Sequence, residues 1–226
     1  MTMPYFKNTL SFSKALLVST LLFSGFANAE LTHVSTFIDE DNDCAGYFGA
    51  NFQECEITHV PTDNSPIFAQ IIAKYDAENS NHNEFADGSS EEDWTFNDTS
   101  SNAPGTGVEG NWTYTGSYPG INFWVAKASN GFILNWMVDQ SEIGSNCVSG
   151  ESDNNFTLNC LKLSQVVTTG SWATPTTLKA QGNNANDVEF NPGLSHISFY
   201  RVPEPTTLAL LGLAIMGLSL QRKRNS

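Results

Sequence analysis

The chain has 226 residues, a formal net charge of −14 and four cysteines. Its length suits one domain with a sizeable core once terminal signals are set aside. With 10 lysines and arginines against 24 acidic residues, the composition argues against nucleic-acid binding, because neutralising phosphates requires many cations.

The first 29 residues have the three parts of an export signal. Lys7 and Lys14 precede an apolar run over residues 15–23, and an Ala-Asn-Ala triplet then ends at Ala29. This small-x-small pattern is typical of a signal-peptidase site. Cleavage after Ala29 would make Glu30 the first residue of the mature protein. An uncleaved anchor is the alternative.

The region between the two terminal signals, residues 30–201, is more acidic than the whole chain. It keeps five of the cations and 23 of the acids, which gives a net charge of −18. Such a charge favours solubility in a hydrated matrix or the binding of divalent cations.

An acidic segment near the start of this region places carboxylates at alternate positions, as calcium-binding loops do. Its members are Asp39, Asp41 and Asp43. The EF-hand pattern needs glycine and glutamate later in the loop, where Cys44 and Ala50 stand here. Two interpretations stay open: a solvated acidic turn, which we favour, and a calcium site of another type. No other cofactor is expected.

The four cysteines are expected to pair, because an exported chain meets oxidising conditions. Of the three connectivities that four cysteines allow, we favour the local pairs Cys44–Cys55 and Cys147–Cys160. Zinc ligation is the rival interpretation. It is disfavoured because the sequence has no Cys-x-x-Cys and its four histidines are scattered.

The residue pattern predicts an all-β domain, an antiparallel β-sandwich of jelly-roll type. Residues 121–128 and 132–138 are rich in aromatic and β-branched residues, and they flank Asn130-Gly131, a strong hairpin signal. Further predicted strands cover residues 31–38, 66–75, 111–117, 155–169, 172–180 and 194–202.

Two segments of this region have a less definite pattern. Residues 66–75 also fit a helical period. Residues 78–102 are dominated by asparagine, aspartate, glutamate and serine, and are predicted to form a long surface excursion.

Trp94, Trp112 and Tyr114 are the candidates for a sugar-stacking platform. Trp112 and Tyr114 are two residues apart, so they share a face if residues 111–117 form a strand. The alternative is that these rings belong to the core, as aromatic residues in strands more often do.

Catalytic residues are not indicated. Glu91 and Glu92 beside Trp94 suggest a glycosidase, but that chemistry requires two carboxyl groups at a set separation across a cleft, which the sequence does not give. The chain also has no Gly-x-Ser-x-Gly elbow and no phosphate-binding loop. We therefore predict that the protein is not an enzyme.

The last 25 residues contain three elements in a fixed order. They are Pro203-Glu204-Pro205, an uncharged run over residues 206–220, and the basic residues Arg222, Lys223 and Arg224. As a helix the run would be about 22 Å long, at the short end for a bilayer core of about 30 Å. We predict a single transmembrane helix with a cytoplasmic C-terminus. A buried core helix is the alternative.

This three-part tail, residues 202–226, resembles the PEP-CTERM sorting signal of exported proteins of Gram-negative bacteria. The resemblance implies that an exosortase, a membrane transpeptidase-like enzyme, recognises the tail and cuts near Pro-Glu-Pro. It also implies a link with exopolysaccharide and biofilms.

The expected organisation is a signal peptide (residues 1–29), an extracytoplasmic β domain (30–201) and the sorting signal (202–226). We expect a non-catalytic envelope or biofilm-matrix protein, held at the inner membrane as a precursor and then placed at the cell surface or in the extracellular matrix. The alternatives are a module that binds exopolysaccharide, with or without calcium, and a matrix glycoside hydrolase.

Overall fold

The structure is a computed structural model. It describes residues 30–40, 42–49, 52, 55, 57, 67–77, 79–98, 107–128, 131–175, 178–179, 189–190 and 192–203. The chain divides into two units, Met1–Glu30 and Leu31–Ser226. Every described strand belongs to the second unit.

Strands predominate among the described elements, and the helical elements are short, so the all-β prediction is confirmed. The strands are β1 (Leu31–Ile38), β2 (Gln70–Asp76), β3 (Glu84–Phe85), β4 (Trp94–Asp98), β5 (Glu109–Tyr114), β6 (Phe123–Ala128), β7 (Gly131–Asp139), β8 (Gly150–Glu151), β9 (Thr169–Ala173), β10 (Leu178–Lys179), β11 (Glu189–Phe190) and β12 (His196–Arg201).

The strands form a large sheet, a small sheet and a two-stranded ribbon. The large sheet has the order β3-β2-β12-β6-β7-β1-β8, the small sheet β4-β5-β9, and the ribbon β10-β11. All pairs are antiparallel except β1 with β8. In the β6–β7 hairpin Ala128 pairs directly with Gly131, so Gly131 is the first residue of β7 and not part of the predicted Asn130-Gly131 turn.

Both faces of the large sheet are buried, which is why β6 has no exposed side chain. Phe123 and Val125 point to one face, and Trp124 and Ala126 to the other. The small sheet covers the second face, and we call the cluster between the sheets the inter-sheet core. Irregular segments cover the first face, and we call that cluster the cap core.

The inter-sheet core is mainly aromatic. Its rings belong to Tyr75, Trp94, Phe96, Trp112, Tyr114, Trp124, Trp172 and Phe199. Glycines in the small sheet make room for two of these rings. Trp172 pairs with Gly110 and Trp112 with Gly170, and a Cβ on either glycine would lie within 2.8 Å of the opposite indole. Small residues directly across the strands therefore let the indoles lie flat on the sheet.

The cap core contains apolar side chains from β1, β6 and β7 together with the elements that cover them. The covering elements are a π-helical turn (Asp43–Tyr47) and the short helix α1 (Leu158–Leu161). Thr157 caps α1, because its hydroxyl accepts a hydrogen bond from the Cys160 backbone N–H at 3.3 Å. The predicted Cys147–Cys160 disulfide is present, with Cα atoms 5.2 Å apart, and joins this helix to the loop after β7.

Three element predictions need correction. Residues 155–169 are not a strand: a 3₁₀ turn (Asp153–Asn155) and α1 lie there, since both begin at side-chain caps that favour a helical turn. Strand β9 starts at Thr169 and ends at Ala173, earlier than the predicted strand over 172–180. The excursion over 78–102 contains β4, because Trp94 and Phe96 enter the inter-sheet core.

The ambiguous segment 66–75 is a strand from Gln70 onward, within β2 (Gln70–Asp76). Within the part of the chain that the structure describes, no helix has the length and apolarity needed to cross a membrane. The predicted helix over residues 206–220 lies outside the described residues.

Candidate functional site

The junction between the domain and its tail is set by β12. This strand lies inside the large sheet and pairs with β2 on one side and β6 on the other. It ends at Arg201, whose guanidinium lies 5.2 Å from the Tyr118 ring centroid. The backbone N–H of Val202 donates to Asn122 Oδ1 at 2.8 Å, and Pro203 is exposed. The chain therefore leaves the domain at the surface, directly after a fixed strand.

The rest of the predicted sorting motif lies outside the described residues: Glu204, Pro205, Arg222, Lys223 and Arg224. At the other end, Glu30 is exposed and immediately precedes β1, whereas Ala29 lies outside the described residues. The predicted signal-peptidase site thus lies directly before β1, and the predicted sorting motif directly after β12.

A fully buried carboxylate, Asp43, lies at the start of the π-helical turn and reaches the cap face of β12. Its Oδ1 is 2.7 Å from His196 Nε2, and its Oδ2 accepts a hydrogen bond from the Tyr200 hydroxyl at 2.9 Å. Alternation along β12 directs His196 and Tyr200 to the same face. We call these three residues the Asp43 network.

The Asp43 network keeps a charge inside the core. Burial by itself raises the pKa of Asp43, but the charge of His196 and the hydrogen bonds to the carboxylate, from His196 first, together hold that pKa well below its usual value. Burial, reinforced by Asp43 and the neighbouring cysteines, raises the pKa of Tyr200 well above its usual value. Tyr200 therefore stays a neutral hydrogen-bond donor to an ionised carboxylate.

Two thiols border this network. Cys44 Sγ lies 3.0 Å and Cys55 Sγ 3.3 Å from the Tyr200 hydroxyl oxygen. Both cysteines are buried and carry free thiols in the structure, so the predicted Cys44–Cys55 disulfide is not formed here.

Of the three predicted calcium ligands, the structure describes Asp39 and Asp43, and it does not bring these two together. Both carboxylate oxygens of Asp43 are engaged in the core, whereas Asp39 is exposed and Asp41 lies outside the described residues. The alternation that suggested a shared loop fails because the π-helical turn directs Asp43 inward. Among the described residues, no group of three or more His, Cys, Asp or Glu side chains could hold a metal ion.

The predicted aromatic platform is wrong, because its members form the inter-sheet core. Trp94, Trp112 and Tyr114 are 7%, 1% and 2% exposed. Their ring faces pack on neighbours: the Phe199 centroid lies 4.1 Å from that of Trp94 and 5.1 Å from that of Trp112. No face of these rings is left for a sugar.

A polar cleft of about 500 Å³ lies where the two sheets meet. Each sheet contributes a row of directly paired polar residues to its lining. The large sheet provides Asn135, Ser35 and Glu151 on β7, β1 and β8, and the small sheet provides Asn97, Asn111 and Ser171 on β4, β5 and β9. Sequence reasoning missed both rows, because each depends on the register of three strands that are far apart in the chain.

The large-sheet side of the polar cleft is rigidly supported. Asn135 donates to the carbonyls of Ile133 and Trp124, at 2.9 and 3.3 Å. Burial lowers the pKa of His33, so its ring is neutral at pH 7 and lies 3.1 Å from Asn135 Oδ1 through Nε2. The same ring stacks on Trp124, with centroids 5.7 Å apart.

The charge in the polar cleft is negative. Glu109 and Glu151 line it, and no lysine or arginine is among the described lining residues. Burial, with Asp153 nearby, raises the pKa of Glu151. The carboxylates suggested for a hydrolase, Glu91 and Glu92, lie elsewhere, on an exposed 3₁₀ turn (Glu91–Asp93).

Comparison with known proteins identifies the tail. A family model for the PEP-CTERM protein-sorting motif matches residues 201–224. Neither the curated proteins nor the solved structures include a significant match. The predicted sorting signal is confirmed, and its match begins at the last residue of β12. The chain thus carries the signal of an exported protein that an exosortase processes.

Proposed function

We propose that the protein is a non-catalytic component of the cell envelope or the extracellular matrix, delivered and processed through its C-terminal sorting signal. The observation that carries the proposal is the PEP-CTERM motif at residues 201–224, which follows the interior strand β12 without a linker. Localisation to the surface and retention of the precursor at the inner membrane belong to the same proposal.

The junction between β12 and the tail supports delivery and processing through the sorting signal. Because β12 is paired on both sides, the domain is folded up to Arg201, where the matched motif begins. Pro203 and Pro205 in the motif favour an extended backbone. This is the form in which a protease-like enzyme binds its substrate. The apolar run over residues 206–220 would hold this segment next to the membrane where the exosortase acts.

Replacing Pro203, Glu204 and Pro205 by alanine tests the proposal in cells that contain the exosortase. We expect unprocessed precursor to accumulate in the inner-membrane fraction, and surface or secreted protein to be lost. The matched control replaces Asn225 and Ser226, beyond the matched motif, and should be processed normally. Normal processing of the triple variant would overturn the proposal.

The polar cleft favours a second function for the same domain, the binding of a carbohydrate. Its paired amide, hydroxyl and carboxylate groups offer hydrogen bonds of the kind that sugar hydroxyls make. Recognition would rest on hydrogen bonds instead of ring stacking, since Trp172, the aromatic residue in the lining, is buried. The carboxylates Glu109 and Glu151 favour neutral or amine-bearing chains over acidic ones.

Pull-down with a neutral and an acidic polysaccharide, each with and without calcium, tests this second function. The variants Asn111→Ala and Ser171→Ala remove exposed groups of the small-sheet row, and Thr95→Ala is an exposed control on β4 outside the cleft. We expect the neutral polymer to retain the protein, with about tenfold weaker retention per row variant, equivalent to about 1.4 kcal/mol. Retention of all three variants alike would exclude the cleft.

A further inference from the structure

The buried thiols of Cys44 and Cys55 lie close together beside the Tyr200 hydroxyl. Their sulfurs lie 3.0 and 3.3 Å from one atom, the Tyr200 hydroxyl oxygen, so they are at most 6.3 Å from each other. An isolated antiparallel bridge between Gly49 and Cys55 folds the chain back toward the π-helical turn. The fold therefore brings the two thiols together although eleven positions separate them in the chain.

In the folded protein these thiols are poorly placed to react. Cys44 is 3% and Cys55 1% exposed, so an external oxidant does not reach them. The hydrogen bond to Cys55, burial and the Asp43 carboxylate all raise the pKa of Cys44. Only a thiolate attacks a disulfide, so the closed core keeps Cys44 in its inert thiol form.

We propose that Cys44 and Cys55 are an oxidation site that closes into a disulfide before the segment carrying them packs onto β12. One thiolate attacks the disulfide of an external carrier, forms a mixed disulfide and expels one carrier thiolate. The second cysteine thiolate then attacks the mixed disulfide and releases the other carrier thiolate. The cysteines lose two electrons and two protons, and the carrier disulfide is reduced to two thiols.

Closure before packing has a structural consequence. Once the pair is covered by the cap core, the same burial that blocks oxidation shields the bond from reduction. The Tyr200 hydroxyl keeps its donation to Asp43 in either state, because that contact does not involve sulfur. The inference needs only an oxidising compartment, which export supplies, and it does not depend on exosortase processing.

Peptide mapping of the purified exported protein, alkylated in denaturant without reductant, tests whether the bond exists. We expect a Cys44–Cys55 linked peptide beside the Cys147–Cys160 peptide, which is the internal control. Alkylation of both Cys44 and Cys55 in the unreduced protein would overturn the proposal.

The order of events is tested with reduced protein and oxidised glutathione as the probe. Glutathione is added either at the start of refolding or after refolding is complete. We expect the Cys44–Cys55 bond to form at least a hundredfold more slowly in the second case. Equal rates would show that the folded pair is open to oxidants, and would overturn closure before packing. Neither result depends on whether the sorting signal functions.

Discussion

The two faces of the large sheet are both buried, yet they are built from different chemistry. Phe199 and Tyr200 are neighbours on β12 and point to opposite faces. Phe199 packs among the rings of the inter-sheet core, whereas Tyr200 donates a hydrogen bond to a buried carboxylate in the cap core. One face of β12 thus supports a core of packed rings, and the other supports an apolar core that also contains a buried polar network.

The difference between the two cores predicts which face of the sheet tolerates amino-acid substitutions better. In an apolar core, a side chain of similar volume and polarity replaces another at small cost. A buried ion pair is directional, and loss of one partner leaves the other without compensation. We therefore expect substitutions of the Asp43 network to be more damaging than volume-conserving substitutions in the inter-sheet core.

The largest effect is expected from Asp43→Ala. Removal of the carboxylate leaves His196 and the Tyr200 hydroxyl buried without their partner, which should lower the free energy of unfolding by about 3–5 kcal/mol. Urea denaturation measures this change. The exposed Asp39→Ala is the control and should have almost no effect. A loss below about 1 kcal/mol for Asp43→Ala would contradict the importance of the network.

Low pH should reduce the stability difference between the wild type and Asp43→Ala. Because the pKa of Asp43 is lower in the folded than in the unfolded state, its contribution is fully present above the unfolded pKa of about 3.9 and is lost as pH falls toward the folded pKa. The gap between the melting temperatures of the wild type and Asp43→Ala should therefore begin to narrow below about pH 4 and continue to narrow down to pH 2. A constant gap across that range would exclude the carboxylate as its cause.

Adjacent substitutions on β12 compare the two faces directly. Tyr200→Phe removes the donor to an ionised carboxylate and should cost about 1.5–3 kcal/mol. Phe199→Leu keeps an apolar side chain among the rings and should cost about 1.5 kcal/mol or less. Both are measured by chemical denaturation. The reverse order of the two losses would contradict the proposed difference between the faces.

The smallest effect is expected outside both cores, at Glu151→Gln in the polar cleft. Because the pKa of Glu151 is raised in the folded state, its charge disfavours folding at pH 7, so neutralisation should stabilise slightly. Much of the side chain is in contact with solvent, which weakens the effect of its partial burial, so the change should stay within about 0.5 kcal/mol. A pronounced fall in the melting temperature would show that Glu151 has a structural role.

Local patterns predicted the strands that have a clear period. Strand β1 has the predicted bounds, and the β6–β7 hairpin differs by one residue at its turn. The segment Trp94–Asp98 was missed because the polar residues around it dominate its composition, although its two aromatic residues are spaced as in a strand.

The sites depended on contacts that no local pattern contains. The sequence shows that Asp43 alternates with other acids, but its direction is set by a π-helical turn and by a partner 153 positions away. The two rows of the polar cleft likewise require the register of six strands. The tail could be identified from the sequence because its three parts are contiguous, and the Cys147–Cys160 disulfide because its two cysteines are close in the chain.

The most direct test of the proposed function is mass spectrometry of the terminal peptides of the protein recovered from the cell surface or the medium. The account predicts an amino end at Glu30 and a carboxyl end near Pro203–Pro205, with no peptide from residues 206–226. A surface or secreted protein that still begins at Met1, or that retains Arg222 to Ser226, would contradict export and processing through these two signals.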